Sequence, residues 1–502
     1  MSMPAEHLKP EVTLDTLLKG IATAPAISVT GIASDSRQLQ AGNVFLAIQG
    51  ASSHGLDYLD QAKAAGVAAI VWDASTGCPE ETDLPMIAVP CLAQLIGEIA
   101  NRWFDSPSKT VSVTGVTGTN GKTTVAWLAS QALNQMNLRC GYIGTLGSSM
   151  DGFSREGSLT TPACIDLHGI LAGFRDEGAK HAAIEVSSHA LEQARVDGVK
   201  FDSAIFTNLS RDHIDYHGSM QSYFNSKAGL FLDHDVRNRI VCIDTEFGVE
   251  LVNLCGANVV TVSTRPDYSP NGRPYVFVSK VVANQFGSDI SIISSWGRGE
   301  ISLQLPGDFN VANAAEVLAL LLCNDVPLND ACAVLGKVSA PPGRMELANT
   351  SAESNLPLVY IDYSHTPASL EAALKALRAH CGGRLWCVFG CGGDRDRGKR
   401  PMMGEVVERL ADRSIVTSDN PRSEPPGQII ADILKGMSKD AVAVIDRAEA
   451  IAQAIASAEA DDIVLVAGKG HENYQVIGNT TLSFSDFEAA RGCLLARGAA
   501  EK

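Results

Sequence analysis

Apolar and polar positions along the chain form short runs whose spacing switches between strand and helix periods. Near the beginning, Val44-Phe45-Leu46-Ala47-Ile48 reads as a strand. A helix is predicted from about Tyr58 to Ala65, leading into a strand over Ala68–Trp72. A second region opens with a strand over Thr110–Thr114, a glycine-rich loop and a helix from about Thr123. Apolar runs recur at Ala182–Val186, Ala204–Thr207, Ile240–Ile243 and Val259–Val262, with helical stretches between several of them. This alternation predicts a mostly parallel sheet covered by helices. Two alternating runs between Ile290 and Leu305, on either side of Trp296-Gly297-Arg298-Gly299, predict a hairpin.

Ala340-Pro341-Pro342-Gly343 breaks the pattern with a rigid, turn-rich segment. Beyond it the rhythm restarts, with strands predicted at Leu358–Ile361, Leu385–Phe389, Ser414–Thr417, Val442–Ile445 and Ile463–Val466. Helices fit between them, giving a second open α/β sheet. The 502 residues suit about three domains. The expected boundaries are 1–90, 91–341 and 342–502.

Composition changes this picture little. With 45% hydrophobic and 19% charged residues the chain is ordinary for a globular enzyme. A net charge of -17 argues against non-specific binding to nucleic acid or to a membrane surface, while leaving room for a local basic pocket. Met1–Lys19 carries Glu6, Lys9, Glu11 and Asp15 among its apolar positions, so no secretory signal is expected there. No apolar run approaches the roughly 18 residues of a membrane span. The 12 cysteines include no CxxC pair, which favours reduced thiols over disulfides or a zinc site.

The strongest chemical signal is Thr117-Gly118-Thr119-Asn120-Gly121-Lys122-Thr123-Thr124 between a predicted strand and helix. A triphosphate needs backbone N–H groups aimed at its oxygens, glycines that let the backbone approach, and the dipole of a helix N-terminus. Lys122 would reach the outer phosphates and the Thr123 hydroxyl would ligate Mg²⁺. A strict phosphate-loop pattern wants glycine where Val116 stands; Gly115 and Gly118 flank it. By contrast, Gly390-Cys391-Gly392-Gly393 fails the dinucleotide spacing and is followed by the wrong residues.

Gly118–Thr123 resembles the phosphate loop of the Mur ligases, and further motifs follow in that family's order. They are Glu185-Val186-Ser187-Ser188-His189, Thr207 to Asp215, Gly307 to Ala314, Pro342 to Glu346 and Asp362 to Pro367. The resemblance spans nearly the whole chain. It implies an α/β fold with a small mixed UDP-binding domain, a central P-loop ATPase-like domain and a C-terminal Rossmann-like domain. It also implies a cytoplasmic, monomeric enzyme that forms an amide by way of an acyl phosphate, with ATP as co-substrate and Mg²⁺ as cofactor. Asp419-Asn420-Pro421-Arg422 resembles the members that add meso-diaminopimelate to UDP-N-acetylmuramoyl-L-alanyl-D-glutamate in peptidoglycan synthesis. The lysine-adding members lack that arginine.

The resemblance assigns roles residue by residue. Glu185 and His213, each just past a predicted strand end, would complete Mg²⁺ shells with Thr123. Taken alone they read equally as a solvated loop glutamate and a satisfied histidine. Lys227 alone would pass for a surface helix lysine; the resemblance implies a carbamylated lysine that holds Mg²⁺, and such a lysine should be buried with a depressed pKa. Catalysis would rest on Lys122, Lys227, Glu185 and His213. ATP would contact residues 118–124, Asn310, Arg344, Asp362 and His365. Asn310 and Asn313 share a helix face and suit adenine edges or helix capping. The muramoyl dipeptide would contact Thr160, Thr161, Ser187, Gln193 and Arg195, and uridine Ser36. The neighbouring loop, Ala51-Ser52-Ser53-His54-Gly55, departs from the family's commoner form.

For the incoming amino acid, Arg395, residues 419–422, Gly468 and Glu472 follow three different predicted strands onto one sheet edge. Only one amine of diaminopimelate attacks, so the far carboxylate and ammonium are available for recognition. Arg395 and Arg422 offer planar forks for carboxylate and Glu472 an anion for ammonium. Surface salt bridges are the blander reading of the same residues. Rival functions are a lysine-adding or folate-polyglutamate-type ligase, a P-loop motor or transport ATPase, and a nucleotide-binding regulator. Arg422 disfavours the lysine-adding reading. Thr160-Thr161 and the N-terminal domain disfavour the folate reading. No convincing strict nucleotide motif supports the motor.

Overall fold

The computed structural model describes residues 12–50, 53–77, 82–150, 159–349, 355–437 and 441–500. The first eleven residues, with Glu6, Lys9 and Glu11, and loop positions Ala51 and Ser52 lie outside the described residues. Contacts divide the chain into two compact units, residues 1–119 with 137–239, and residues 120–136 with 240–502.

The first unit contains a four-stranded parallel sheet, Gly31–Ala33, Asn43–Ala47, Ala69–Asp73 and Met86–Val89, in chain order. Val44 and Leu46 face a cluster with Val71, Val89 and the helix Ile96–Trp103, while Phe45 and Ala47 pack with Ala62, Val67 and Ile70. Both faces are covered, which is why this strand reads as an unbroken apolar run. A second set of strands follows in the order Phe201–Phe206, Ser112–Thr117, His181–Glu185, Cys140–Gly144 and Gly147–Ser149. The first four are parallel and the last is antiparallel. The strand expected at Thr110–Thr114 runs instead over Ser112–Thr117. Pro107–Lys109 form a tight turn, and the amides of Thr110 and Val111 donate to the Pro107 carbonyl rather than to a neighbouring strand.

In the second unit the helix Lys122–Gln135 packs on the helices Asp308–Cys323 and Leu328–Leu335, which explains why it groups with later residues. Strands Asn238–Cys242, Val260–Ser263 and Tyr275–Ala283 pair in parallel, and Ser288–Ser294 and Gly297–Leu303 extend them antiparallel. The hairpin expected around Trp296 is therefore present. The long strand at Tyr275–Ala283 was not expected.

A six-stranded sheet follows in the order Glu346–Leu347, Leu358–Asp362, Ile463–Ala467, Leu385–Phe389, Arg413–Val416 and Val442–Ala443. All pairings but the first are parallel. Helices on both faces bury clusters centred on Leu374, Phe389 and Met403, and on Val388, Ile451 and Val464. The last strand stops at Ala443, two residues short of the expected Ile445. A hairpin of Tyr474–Ile477 and Thr480–Ser483, not expected, lies beyond the last parallel strand. No disulfide joins the described cysteines. Among the described residues no helix is long and apolar enough to cross a membrane.

Candidate active site

In the first unit, three neighbouring parallel strands carry Glu185, the Thr117-Gly118 loop and Thr207 at their carboxyl ends. Ligands of open α/β sheets collect at such edges. Gly118 has φ +148°, and a methyl group on it would lie 2.0 Å from Thr207 Oγ1 and 2.9 Å from the Asn208 carbonyl oxygen. The loop is held down by Thr119: its N–H donates to the Asn208 carbonyl at 2.9 Å, and its hydroxyl accepts from Ser210 N–H at 3.0 Å and lies 3.2 Å from Tyr223 Oη. Burial pushes the Tyr223 phenol up to about 12. Gly121, at φ +89°, then turns the chain into the helix that begins at Lys122 and Thr123. Val116, at the position where strict patterns want glycine, is a buried strand residue.

Lys227 is 1% exposed; its ammonium donates to the Gly118 carbonyl at 2.9 Å and sits 4.5 Å from the centre of the Tyr223 ring. A helix lysine read as surface decoration is thus excluded. Glu185 is also buried: Oε1 accepts from the Tyr142 hydroxyl and from Thr145 N–H at 2.9 Å, and Oε2 from the Thr145 hydroxyl at 3.1 Å. Neither Tyr142 nor Thr145 was legible as a partner, because the strand that carries Tyr142 was missed.

His213 is half-exposed at φ +51°, with Nε2 3.5 Å from Asp212 Oδ2 and its ring 4.9 Å from that of His189. Burial, then His213, His217 and Arg195, hold the His189 imidazole below its ordinary pKa, against a smaller opposing effect of Glu192. His217 is buried between Glu192 Oε1 and Ser188 Oγ, each at 2.9 Å.

The five residues expected on the dipeptide do come together. Thr161 lies 3.4 Å from Ser187 Oγ through its hydroxyl and accepts from Arg195 Nη1 at 3.1 Å through its carbonyl; Arg195 also bonds Gln193 Oε1. The Thr160 hydroxyl accepts from Thr145 at 3.3 Å, which links this group to Glu185. A cavity of about 630 Å³ in the same unit is lined by Ala33, Gln38, Phe104, Ser148, Pro162 and Asp166, among others. Ser36 stands in a tight turn held by Asp35 and does not line it; Gln38 from that turn does. Burial and the nearby Asp35 raise the Asp166 carboxyl above its ordinary pKa.

In the second unit, Asn310 donates to the Pro306 carbonyl at 2.8 Å and accepts from Asn313 at 3.2 Å; neither caps its helix. The Arg344 guanidinium stacks on Tyr363 at 4.7 Å, and its buried Nε has no protein hydrogen-bond partner among the described residues. Such an orphan donor suits an anionic ligand. Asp362 is committed to the backbone, accepting Met345 N–H at 2.8 Å and Ser364 N–H at 2.9 Å. His365 Nδ1–H donates to the Tyr363 carbonyl at 2.9 Å, and its own carbonyl accepts from Lys399.

The amino-acid candidates lie on loops after three adjacent parallel strands ending at Ala467, Phe389 and Val416. A methyl on Gly392 would be 2.9 Å from Arg422 Nη1 and 3.6 Å from Arg395 Cγ, so the two arginines flank one point. Arg422, at φ +52°, donates from Nη1 to the Gly393 carbonyl at 2.9 Å and from its N–H to the Val476 carbonyl at 3.0 Å. Pro421 packs against Gly393 through its carbonyl. Asn420 Nδ2 donates to Glu472 Oε2 at 2.8 Å, and Gly468, at φ +119°, lies beside the Asp419 carboxylate. Sequence reasoning missed the ion pairs that support these loops. Arg400 pairs with Glu424 and Asp432 beneath the Arg395 loop, and Arg447 pairs with Asp486 while donating to the Ser418 and Ala467 carbonyls.

Residues 28–104 match the description "Mur ligase family, catalytic domain", residues 116–321 "Mur ligase middle domain", and residues 343–470 "Mur ligase, glutamate ligase domain". The chain belongs to the Mur ligase family. Membership makes it an ATP-dependent, amide-forming ligase, and Mur ligases use ATP with Mg²⁺. Among curated Mur ligases, the UDP-N-acetylmuramoyl-L-alanyl-D-glutamate–2,6-diaminopimelate ligase of Coxiella burnetii is 43% identical over 491 residues, covering 96% of this chain and 97% of its own. Its namesake in Pseudomonas putida is 41% identical over 503 residues, covering 99% of each. A solved structure of a ligase of that name superposes with a TM-score of 0.74 at 30% identity, covering 97% of this chain and 99% of the other.

Proposed function

We propose that this Mur ligase joins meso-diaminopimelate to the D-glutamyl γ-carboxylate of UDP-N-acetylmuramoyl-L-alanyl-D-glutamate, in the cytoplasm, as a step of peptidoglycan precursor synthesis. We take its domains as 1–90, 91–341 and 342–502, binding the UDP-sugar, ATP and the amino acid respectively. The observation that carries the amino-acid assignment is that Arg422 Nη1, the Arg395 side-chain stem and the Asn420 carbonyl all lie within 4 Å of one point at Gly392, with Asn420 hydrogen-bonded to Glu472. Two forks for a carboxylate next to an anion for an ammonium match a distal amino-acid centre, which lysine lacks.

The reaction has two steps. An oxygen of the γ-carboxylate attacks the γ-phosphorus of ATP, the bond to ADP breaks, and an acyl phosphate results. The free amine then attacks the acyl carbon, loses its proton, and phosphate leaves. The chain supplies position and charge neutralisation. Loop amides at 118–121 and the Lys122 ammonium hold the triphosphate, with Asn310, Arg344, Asp362 and His365 toward the rest of ATP. Thr160, Thr161, Ser187, Gln193 and Arg195 hold the dipeptide, and Ser36 and Gln38 the uridine end. Glu185, Thr123, His213 and Lys227 as a carbamate are the residues that would hold Mg²⁺, and the ion would supply neutralisation of phosphate and acyl oxygens. A carbamate keeps one N–H, so the bond from Lys227 to the Gly118 carbonyl is compatible with that modification.

The test is phosphate release with the nucleotide dipeptide, ATP and each amino acid in turn. Release with diaminopimelate and little with lysine is expected. Turnover with lysine and none with diaminopimelate would overturn the proposal.

A further inference from the structure

We infer that Lys469 is a positioning residue for amino-acid recognition: it orients the Asn420 amide and fixes Glu472 so that one carboxylate oxygen is presented to the substrate's distal ammonium. The inference rests on the amino-acid site proposed above. Lys469 is fully buried, although buried lysines are rare unless paired. Its ammonium donates to Asn420 Oδ1 at 3.1 Å and to Glu472 Oε2 at 3.0 Å, and lies 5.4 Å from the centre of the Tyr474 ring.

The geometry determines which way the Asn420 amide faces. Its oxygen receives two donors, the Lys469 ammonium and Val476 N–H at 3.0 Å. The amide nitrogen must then face Glu472, where it donates to Oε2 at 2.8 Å. Oε2 of Glu472 thus takes both internal donors. Oε1 takes no hydrogen bond among the described residues, so it is the acceptor left for a ligand. Without the ammonium, the Asn420 oxygen keeps a single donor, the amide is free to turn over, and Glu472 must be ordered each time substrate binds. Were Lys469 only a like charge near the substrate's ammonium, its removal would tighten binding instead.

The experiment compares Lys469→Met, Glu472→Gln and the double variant by phosphate release with ATP, the nucleotide dipeptide and varied diaminopimelate. Lys469→Met is expected to raise KM for diaminopimelate about ten- to a hundredfold, with KM for ATP and for the nucleotide dipeptide unchanged. The double variant should match Glu472→Gln alone, because Lys469 acts through Glu472, directly and by way of the Asn420 amide. Lys469→Arg, which keeps the charge, should recover part of the loss. A KM for diaminopimelate that is unchanged or lower in Lys469→Met overturns the inference while the site reading stands. An unchanged KM in Glu472→Gln sinks the site reading itself. Should Lys469→Met not fold, the double variant removes both charges together and carries the test: a KM well above that of Glu472→Gln overturns the inference, and an equal one supports it.

Discussion

Replacing Gly118 by alanine tests the proposed phosphate loop at its tightest point. The added methyl would lie 2.0 Å from Thr207 Oγ1, 2.9 Å from the Asn208 carbonyl oxygen and 3.1 Å from Asn208 N. Ordinary contacts lie at about 3.5–4.0 Å. Thr207 can turn away only by giving up its 3.4 Å approach to the Thr117 carbonyl. The Asn208 carbonyl cannot retreat freely, because it accepts from Thr119 N–H at 2.9 Å. Overpacking of this kind costs about 1–3 kcal/mol. The φ of +148° adds about 1–3 kcal/mol for any residue with a Cβ. The loop's native form is therefore disfavoured by about 2–6 kcal/mol. At about 1.4 kcal/mol per tenfold, the lower bound raises KM for ATP about thirtyfold. The assay is phosphate release at varied ATP, with KM for the amino acid and the melting temperature measured alongside. Gly118→Ala/Thr207→Ala removes the nearest clash and should recover part of the loss. A Gly118→Ala enzyme whose KM for ATP stays within about threefold of wild type would refute the reasoning.

Three further changes probe the proposed amino-acid site and the ion pairs around it. Arg422→Ala should raise KM for diaminopimelate by the loss of one charged hydrogen-bonding group, about 1.5–3 kcal/mol or ten- to a hundredfold, and narrow the preference over lysine; retained selectivity in competition assays would count against the site. Arg447→Met leaves buried Asp486 without its ion pair and should lower unfolding free energy by about 3–5 kcal/mol in denaturant titrations. Glu424 is held down from 4.5 to about 2 chiefly by its hydrogen bond to Arg400, with Asp394 N–H assisting. Its folded pKa lies below its unfolded one, so its contribution is complete above pH 4.5 and is lost as pH falls to about 2. Glu424→Gln should accordingly be less stable than wild type near neutrality, with the gap closing across that window; a gap that stays constant with pH would exclude the linkage.

Much of the candidate site is legible in residue order because glycine-rich turns and strand ends leave local signatures. Gly118, Gly121, Lys122 and Thr123 declare themselves through a turn that few other residues could make. Glu185 declares itself as the one charged residue at the end of an apolar strand, and Asp419 and Gly468 by closely following apolar strands. The strand Cys140–Gly144 escaped notice because Gly141 breaks its β-pattern; a Cβ there would sit 2.2 Å from the Phe174 ring, a constraint imposed by a helix thirty residues away. With that strand went Tyr142, the partner of Glu185.

The chain's local grammar thus determined the family, the α/β class, the glycine-rich loop before the helix at Lys122 and most of the residues on the strand ends, since periodicity and turn chemistry act over a few positions. Tertiary structure alone decided what those residues touch. It buried Lys227 beneath the Gly118 carbonyl, set Gln38 rather than Ser36 against the cavity, and paired Lys469 with Glu472 and Asn420. Hydrogen-bond partners distant along the chain leave no periodic trace. They are chosen by which side chains the packed sheets bring within about 3 Å of each other.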